Sequence, residues 1–235
     1  MKAPWKTLTL AAAAVAALSA APRPAEAALV LLGQGEIGGT GLGTVNTVLT
    51  LQRRGGATTE TGSVSWNGTA DVRTGDAQTG ASQTQTRTLG AIGADEANEL
   101  RIVFNASEPA GGSINLNSLV LTLYGSNGTS LFTQSLAAGI TFTNTNTGTG
   151  NSGFIFGLDA AGIAAAGTAF SDPLTRIGLS ASLSDAQGGQ ETFYAIAIPN
   201  PVVPPPPPPV GVPVPGAMAL FGLGLLGLTG LRRRG

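Results

Sequence analysis

Six consecutive prolines, residues 204–209, lie in a segment with four further prolines between residues 199 and 215. Proline fixes φ and has no backbone N–H, so such a run adopts an extended polyproline II conformation and joins neither a helix interior nor a central strand. Residues 199–215 are therefore predicted to form a stiff stalk of about 50 Å, at about 3.1 Å per residue. The chain before the stalk and the chain after it must fold separately.

The first 27 residues have the three parts of a secretory signal peptide. Lys2 and Lys6 give a positive start, residues 8–21 are an apolar run, and Ala25 and Ala27 are the small residues that signal peptidase requires. The apolar run is shorter than the roughly 20 residues that span a bilayer. A buried N-terminal helix is the alternative, and the nearby prolines disfavour it. We expect residues 1–27 to be removed during export.

The C-terminal end is apolar and then abruptly basic. Residues 216–231 carry no charge, and Arg232, Arg233 and Arg234 follow at once. Sixteen apolar residues are marginal for a membrane span, whereas residues 210–231 would reach the required length of about 20. We predict a transmembrane helix at 216–231 with a basic end, 232–235, that stays on the cytoplasmic side of the inner membrane. An ordinary tail anchor is the alternative.

This tail resembles the PEP-CTERM sorting signal of exported bacterial proteins. The resemblance rests on the order of a proline motif, an apolar helix and a basic cluster. The motif residues are Val212, Pro213, Val214, Pro215 and Gly216. Because Val214 stands where that signal has Glu, the motif is closer to the VPLPA-type variant.

The resemblance also implies a route and a partner. It implies cleavage near residues 213–215 by an exosortase, a membrane-embedded protease-transpeptidase. The inner membrane would be a transient partner. The final location would be the cell envelope, outer surface or extracellular matrix of a Gram-negative bacterium, with a link to exopolysaccharide and biofilm. It implies nothing about the rest of the chain.

The body, residues 28–198, is predicted to be mainly β. Apolar and polar residues alternate with a period of two at 100–105, 119–124 and 176–183. Further candidate strands lie at 45–51, 62–72, 131–136, 140–143, 154–158 and 193–198. Asn127-Gly128 is a typical hairpin turn. Short strands with turn-rich connections are typical of an antiparallel β-sandwich or a jelly roll.

Two segments of the body depart from this pattern. Asp159 is a suitable N-cap for one short helix over 160–170, and a further turn is expected at 94–100. Residues 74–88 are polar and contain no large apolar residue. They are predicted to form a long exposed loop or an edge hairpin with two solvated faces.

The composition excludes several kinds of chemistry. The chain has no Cys and no His, which excludes disulfides, thiolate or imidazole metal sites, and Ser-His-Asp or Cys-His catalysis. From residue 28 to the stalk there are six arginines and twelve carboxylates, a net charge of −6. That charge argues against nucleic acid as a partner. We expect no cofactor and no enzymatic activity.

Carboxylates and aromatic residues are the groups on which alternative functions would depend. Asp71 with Asp76, or residues 95–99, could supply the two carboxyls of a glycoside hydrolase, although solvated loop acids are the simpler interpretation. Residues 95–99 also offer oxygen ligands for calcium, without an EF-hand pattern. Trp66 and Tyr124 could form a sugar-stacking platform, and burial in the core is the alternative.

The preferred hypothesis is a non-enzymatic exported protein of structural or surface type. A carbohydrate- or calcium-dependent adhesion module is the second hypothesis, and a carboxylate-based hydrolase is the third.

Overall fold

The computed structural model describes most of the body and none of the tail. The described residues are 27–34, 46–53, 55–80, 83–109, 111–145 and 153–198. The stalk, the sorting motif, the predicted transmembrane helix and the signal peptide, apart from Ala27, lie outside these residues. By its internal contacts the chain divides after Pro199, and all described residues belong to the first unit. Within that part, no helix is long and apolar enough to cross a membrane.

The described residues contain twelve strands and three short helices. The strands are β1 Leu29–Gln34, β2 Asn46–Leu51, β3 Thr59–Trp66, β4 Asp71–Gly75, β5 Arg87–Thr88, β6 Leu100–Asn105, β7 Gly112–Tyr124, β8 Ser130–Ser135, β9 Ile140–Thr145, β10 Gly153–Leu158, β11 Arg176–Ser184 and β12 Glu191–Ala197. The helices are α1 Leu89–Ile92, α2 Ala160–Ala166 and a 3₁₀ helix at Gly167–Ser171. The prediction of a mainly β body is confirmed.

The strands form two sheets. The five-stranded sheet has the order β1-β10-β6-β12-β2. The seven-stranded sheet has the order β4-β3-β11-β7-β8, with β5 beside β11 and β9 beside β7. All pairings between the strands are antiparallel. The inner faces share one apolar core, so the body is an antiparallel sandwich.

Alternation along the strands builds this core. On β7 and β11 every second residue is buried, and these residues include Leu119, Leu121, Ile177 and Leu179. Across from them, aromatic side chains of the five-stranded sheet gather around Phe104, whose ring stacks on that of Phe193 at 4.7 Å between centroids. The period of two in the sequence therefore corresponds to one buried and one more exposed face in β3, β7 and β11, whereas β2, β6, β10 and β12 are largely buried on both faces.

The prediction of a single strand at 62–72 is wrong. The chain leaves β3, turns over residues 67–70 and returns as β4. Asn67 Oδ1 accepts hydrogen bonds from the backbone N–H groups of Thr69, at 2.9 Å, and Ala70, at 2.8 Å. Gly68 has a φ of +94°. Such an Asx turn leaves no break in the alternation of the sequence.

The prediction of an exposed loop or solvated hairpin at 74–88 is also wrong. Residues 74–75 end β4, and the segment then covers the outer edge of β2. The backbone N–H of Gln78 donates to Thr50 O at 2.9 Å, and that of Gln85 donates to Val48 O at 3.0 Å. Thr84 is buried, and its Oγ1 accepts from Thr50 N at 3.1 Å. Polar residues suit this position because the groups they meet are the backbone groups of a sheet edge.

The predicted helix is present but shorter. Asp159 Oδ1 accepts from Gly162 N at 2.7 Å and caps α2 as predicted, and the chain tightens into a 3₁₀ helix from Gly167. Residues 94–99 form turns, as expected. The short helix α1 was not predicted; Thr88 Oγ1 caps it by accepting from Ala91 N at 3.1 Å.

Candidate functional site

The outer side of the seven-stranded sheet carries an array of hydroxyl groups. Its side chains alternate with the core residues and are exposed or half-buried. This surface, called the hydroxyl face below, consists of Thr61, Ser63, Thr74, Thr122, Thr133, Ser180 and Ser182.

Neighbouring hydroxyls on this face contact each other across strands. Ser63 is paired with Thr74 on one side and Ser180 on the other. The oxygens of Ser63 and Thr74 are 2.7 Å apart, and those of Thr61 and Ser182 are 3.1 Å apart. A hydroxyl both donates and accepts, so the face suits a neutral polar partner that does the same.

Tyr124 borders the hydroxyl face where β11 begins, and Trp66 lies at the same end of the sheet, one position after the outward-facing Ser65. The guanidinium of Arg176 lies 3.9 Å from the centre of the Trp66 ring, and Trp66 Nε1 donates to Ser126 O at 2.9 Å. Tyr124 is paired with Arg176 across the sheet, and its ring covers Gly178, where an added Cβ would be 2.7 Å from Tyr124 Cε2. Trp66 and Tyr124 are half-buried and are not members of the buried core cluster.

Two related turns hold this end of the sheet together. The turns at 67–69 and 127–129 have the same sequence, Asn-Gly-Thr, and their backbones pack against each other. A Cβ on Gly68 would lie 2.4 Å from Asn127 O, and a Cβ on Gly128 would lie 2.4 Å from the carbonyl carbon of Asn67. Only glycine allows this approach, which positions Trp66 close to the β7–β8 turn.

The carboxylates singled out as Asp71 and Asp76 have separate structural roles. Asp71 Oδ1 accepts from the Thr86 hydroxyl at 2.5 Å, and Asp71 Oδ2 lies 3.7 Å from Arg73 Nη2. Asp76 Oδ2 accepts from Thr61 N at 2.9 Å. Both carboxylates therefore stabilise the backbone of β3, β4 and the segment between β4 and β5. Their contacts do not support a catalytic pair of Asp71 and Asp76.

The segment 95–99 borders a cavity of about 360 Å³. Glu99 Oε2 turns back and accepts from Asp95 N at 3.0 Å and from Glu96 N at 3.3 Å. The cavity is lined by Asp95, Glu96, Ala97, Asn98, Ile163, Gly167, Phe170 and Ser171. In the described ranges, no group of three or more Asp or Glu side chains is arranged to hold a metal ion.

A third group of carboxyls was not predicted. Glu60, Glu108 and Glu191 are buried, with exposed fractions of 1%, 1% and 0%. Burial, which is the largest cause, and the neighbouring Glu60 and Glu108 together raise the pKa of Glu191 to about 10. The sequence held one signal for Glu60, since it continues the inward positions of Gly62 and Val64 along β3.

Burial is the main cause of a pKa shift in three other groups. It lowers the pKa of Arg87, an effect that Asp71 partly opposes, and lowers the pKa of Arg101. It raises the pKa of Tyr194. Both arginines donate to backbone carbonyls, Arg87 Nε to Thr47 O at 2.9 Å and Arg101 Nη1 to Asn98 O at 2.6 Å. They therefore serve as structural donors at the edges of strands.

Most predicted sorting residues lie outside the described ranges. These are Ala25, Val212, Pro213, Val214, Pro215, Gly216, Arg232, Arg233 and Arg234. Ala27 is described, and its carbonyl oxygen accepts from Gln134 Nε2. The next residue, Ala28, donates through its backbone N–H to Asp159 Oδ2 at 3.1 Å.

The family model for the PEP-CTERM protein-sorting motif matches residues 211–234. The chain carries a PEP-CTERM sorting signal. The matched range includes all the predicted motif and arginine residues, whose individual roles stay predictions. A PEP-CTERM signal implies export, transient membrane anchoring and processing by an exosortase. No curated protein and no solved structure matches the chain.

Proposed function

We propose that this PEP-CTERM protein is a non-enzymatic component of the cell surface or extracellular matrix. The signal peptide directs export, the helix at 216–231 holds the body at the inner membrane, and an exosortase cuts near residues 213–215. The observation that carries this proposal is the sorting motif at 211–234, at the far side of a proline-rich stalk. The contacts of Asp71, Asp76, Glu99 and Asp159 support a non-enzymatic body, because these carboxylates serve turns, caps and strand edges.

We also propose that the final location is the outer surface or matrix of a Gram-negative bacterium, in association with exopolysaccharide. The chain from residue 28 to the stalk has a net charge of −6, which disfavours binding to anionic polymers. This charge is compatible with association with an exopolysaccharide that is not strongly anionic. A stiff stalk would hold the sandwich away from the membrane until cleavage.

The first test is the mass of the exported protein. In cells that contain an exosortase, we expect the envelope or extracellular form to begin at Ala28 and to lack residues 216–235. Intact-mass measurement of each cell fraction would show this form beside a membrane-bound precursor. An exported form that still contains Leu231 would contradict processing. An exosortase deletion strain is the control, and it should accumulate the precursor.

A second candidate function is the binding of a neutral polysaccharide by the hydroxyl face. The observation that favours it is the position of Tyr124 at one end of that face, with the Trp66 ring against the Arg176 guanidinium at the same end of the sheet. Aromatic rings pack on the apolar faces of sugar rings, and hydroxyls exchange hydrogen bonds with sugar hydroxyls. The seven residues of the face are uncharged, so a neutral chain would lose less hydration there than an acidic one.

Replacement of Trp66 by Ala is expected to weaken such binding by about tenfold, which corresponds to about 1.4 kcal/mol. Affinity electrophoresis in gels that contain a soluble neutral glucan would measure the effect, with alginate as the acidic comparison. Leu174→Ala is the matched control, because Leu174 is exposed and lies before β11, outside the hydroxyl face. Equal retardation of wild type and Trp66→Ala in every gel would count against this surface.

A further inference from the structure

Three buried glutamates connect the two sheets at one end of the sandwich. Glu60 lies on β3 of the seven-stranded sheet, Glu191 is the first residue of β12 of the five-stranded sheet, and Glu108 lies in the connection after β6. Glu191 is paired with Leu51, the last residue of β2. The three side chains are at most 1% exposed, so water does not solvate their charges. We call them the glutamate cluster.

Backbone groups supply only part of the hydrogen bonding that three carboxylates need. Glu60 Oε1 accepts from Arg53 N at 2.7 Å, and Glu108 accepts from Gln187 N at 2.9 Å and 3.1 Å. Glu60 Oε2 and both carboxyl oxygens of Glu191 have no donor among the described residues. A hydrogen bond between Glu191 and Glu60 or Glu108 therefore requires a proton on one of the carboxyls, because two carboxylates are both acceptors.

The side chain of Arg53, whose backbone N–H donates to Glu60, does not balance the charge of the cluster. The guanidinium of Arg53 donates to the carbonyl oxygens of Ala186 and Gln187, the latter at 3.0 Å. In the part of the chain that the structure describes, the ion pair present is Arg73 with Asp71, and it involves no member of the cluster. The charged and titratable groups that face Glu191 are thus Glu60 from β3 and Glu108 from the connection after β6, with Arg53 bound to carbonyls nearby.

Three ionised carboxylates in such a place would each lose hydration and would repel one another. Neighbouring buried carboxyls avoid this by sharing a proton, so that one is an acid and its partner an anion. Burial and the two neighbouring carboxyls raise the pKa of Glu191 to about 10. The direction of this shift agrees with the contacts, since Glu191 has the fewest donors of the three.

We propose that the glutamate cluster retains a proton at neutral pH, held on Glu191 and shared with Glu60 and Glu108, and that alkaline conditions release it and loosen this end of the sandwich. The proton removes the need for a cation at this position, and the hydrogen bond that it forms between Glu191 and Glu60 links β12 to β3. This goes beyond the proposed function and does not depend on it, because it concerns the body alone.

The pH dependence has a definite sign. The pKa of Glu191 is raised from its ordinary value of 4.5 to about 10, so between these values the native state binds one proton more than the unfolded state. The stability contributed by this proton is complete below about pH 4.5 and is lost as the pH rises towards 10. One extra bound proton lowers the ratio of folded to unfolded protein about tenfold for each pH unit in that window.

The test is urea denaturation of the full chain in a mild detergent, at several pH values between about 6 and 9. The key variant is Glu191→Gln, which keeps the shape and a hydrogen-bond donor but has no proton to lose. We expect Glu191→Gln to be more stable than wild type at the alkaline end of this range. In wild type the ratio of folded to unfolded protein should fall about tenfold more per pH unit than it does in the variant. The control is Glu96→Gln, the same change at an exposed carboxyl, which should follow wild type.

Two outcomes would overturn the proposal. One is a pH dependence in Glu191→Gln equal to that of wild type. The other is stabilisation of wild type by millimolar Ca²⁺ at neutral pH that disappears in Glu191→Gln, since a cation rather than a proton would then hold the cluster. If Glu191→Gln does not fold, infrared spectroscopy of wild type decides: a protonated carboxyl band near pH 8 supports the proposal, and its absence refutes it.

Discussion

Replacement of Arg232, Arg233 and Arg234 by Gln is expected to stop most of the protein from being sorted and cleaved. Moving an arginine to the centre of a membrane helix costs about 2.5–3.5 kcal/mol on insertion scales, so three of them form a strong barrier to further translocation. The apolar segment at 216–231 is marginal in length and depends on that barrier. Without the three positive charges, the tail would be translocated across the membrane or would insert in mixed orientations.

The measurement is cell fractionation followed by intact-mass analysis. The matched control replaces the same three arginines by Lys, which keeps the positive charge and changes the side chain. We expect the Lys variant to be processed like wild type and the Gln variant to yield at least about tenfold less processed protein, the change expected for 1.4 kcal/mol or more. Unchanged placement and processing of the Gln variant would show that the basic end is dispensable.

Replacement of Phe104 by Ala is expected to destabilise the body by about 3–5 kcal/mol. Phe104 is fully buried on β6, in the middle of the five-stranded sheet. Its ring centroid lies 4.7 Å from that of Phe193, 5.7 Å from that of Phe142 and 6.1 Å from that of Phe154. The substitution leaves a cavity between these rings, and the two sheets could close it only by moving closer together.

Chemical denaturation would measure this loss as a lower midpoint with a similar slope. A domain of this kind has a total stability of about 5–15 kcal/mol, so the variant would be close to unfolding. Val72→Ala is the control, because Val72 is 40% exposed on β4 and should change stability by less than about 0.5 kcal/mol. A loss below about 1 kcal/mol for Phe104→Ala would mean that the aromatic cluster does not hold the sheets together.

The sequence predicted the strands whose two faces differ in environment. The alternation at 119–124 and 176–183 corresponds to β7 and β11, and Asn127-Gly128 forms the turn between β7 and β8. These succeeded because burial of one face imposes a local period that needs no partner to be recognised. The tight turn at 67–70 was missed, since its residues continue the same alternation through the bend.

The polar segment after β4 was misassigned for a different reason. Low hydrophobicity predicted exposure, but Thr84 is buried because it exchanges hydrogen bonds with the backbone of Thr50. A sheet edge presents unpaired N–H and C=O groups, and polar residues are suitable covers for it. The sequence cannot show which strand will be an edge, because strand order depends on pairings between distant segments.

The sequence by itself determined that the chain carries a sorting signal. A PEP-CTERM signal is a linear segment, so the order and composition of its residues identify it without any fold, and the signal peptide and the stalk are predicted from patterns of the same kind. Only the tertiary structure decided the chemistry of the body. It placed Trp66 beside Arg176 and Tyr124, and it buried Glu191 between Glu60 and Glu108. Desolvation and the distance between charges set a pKa, and both depend on contacts between residues far apart in the chain.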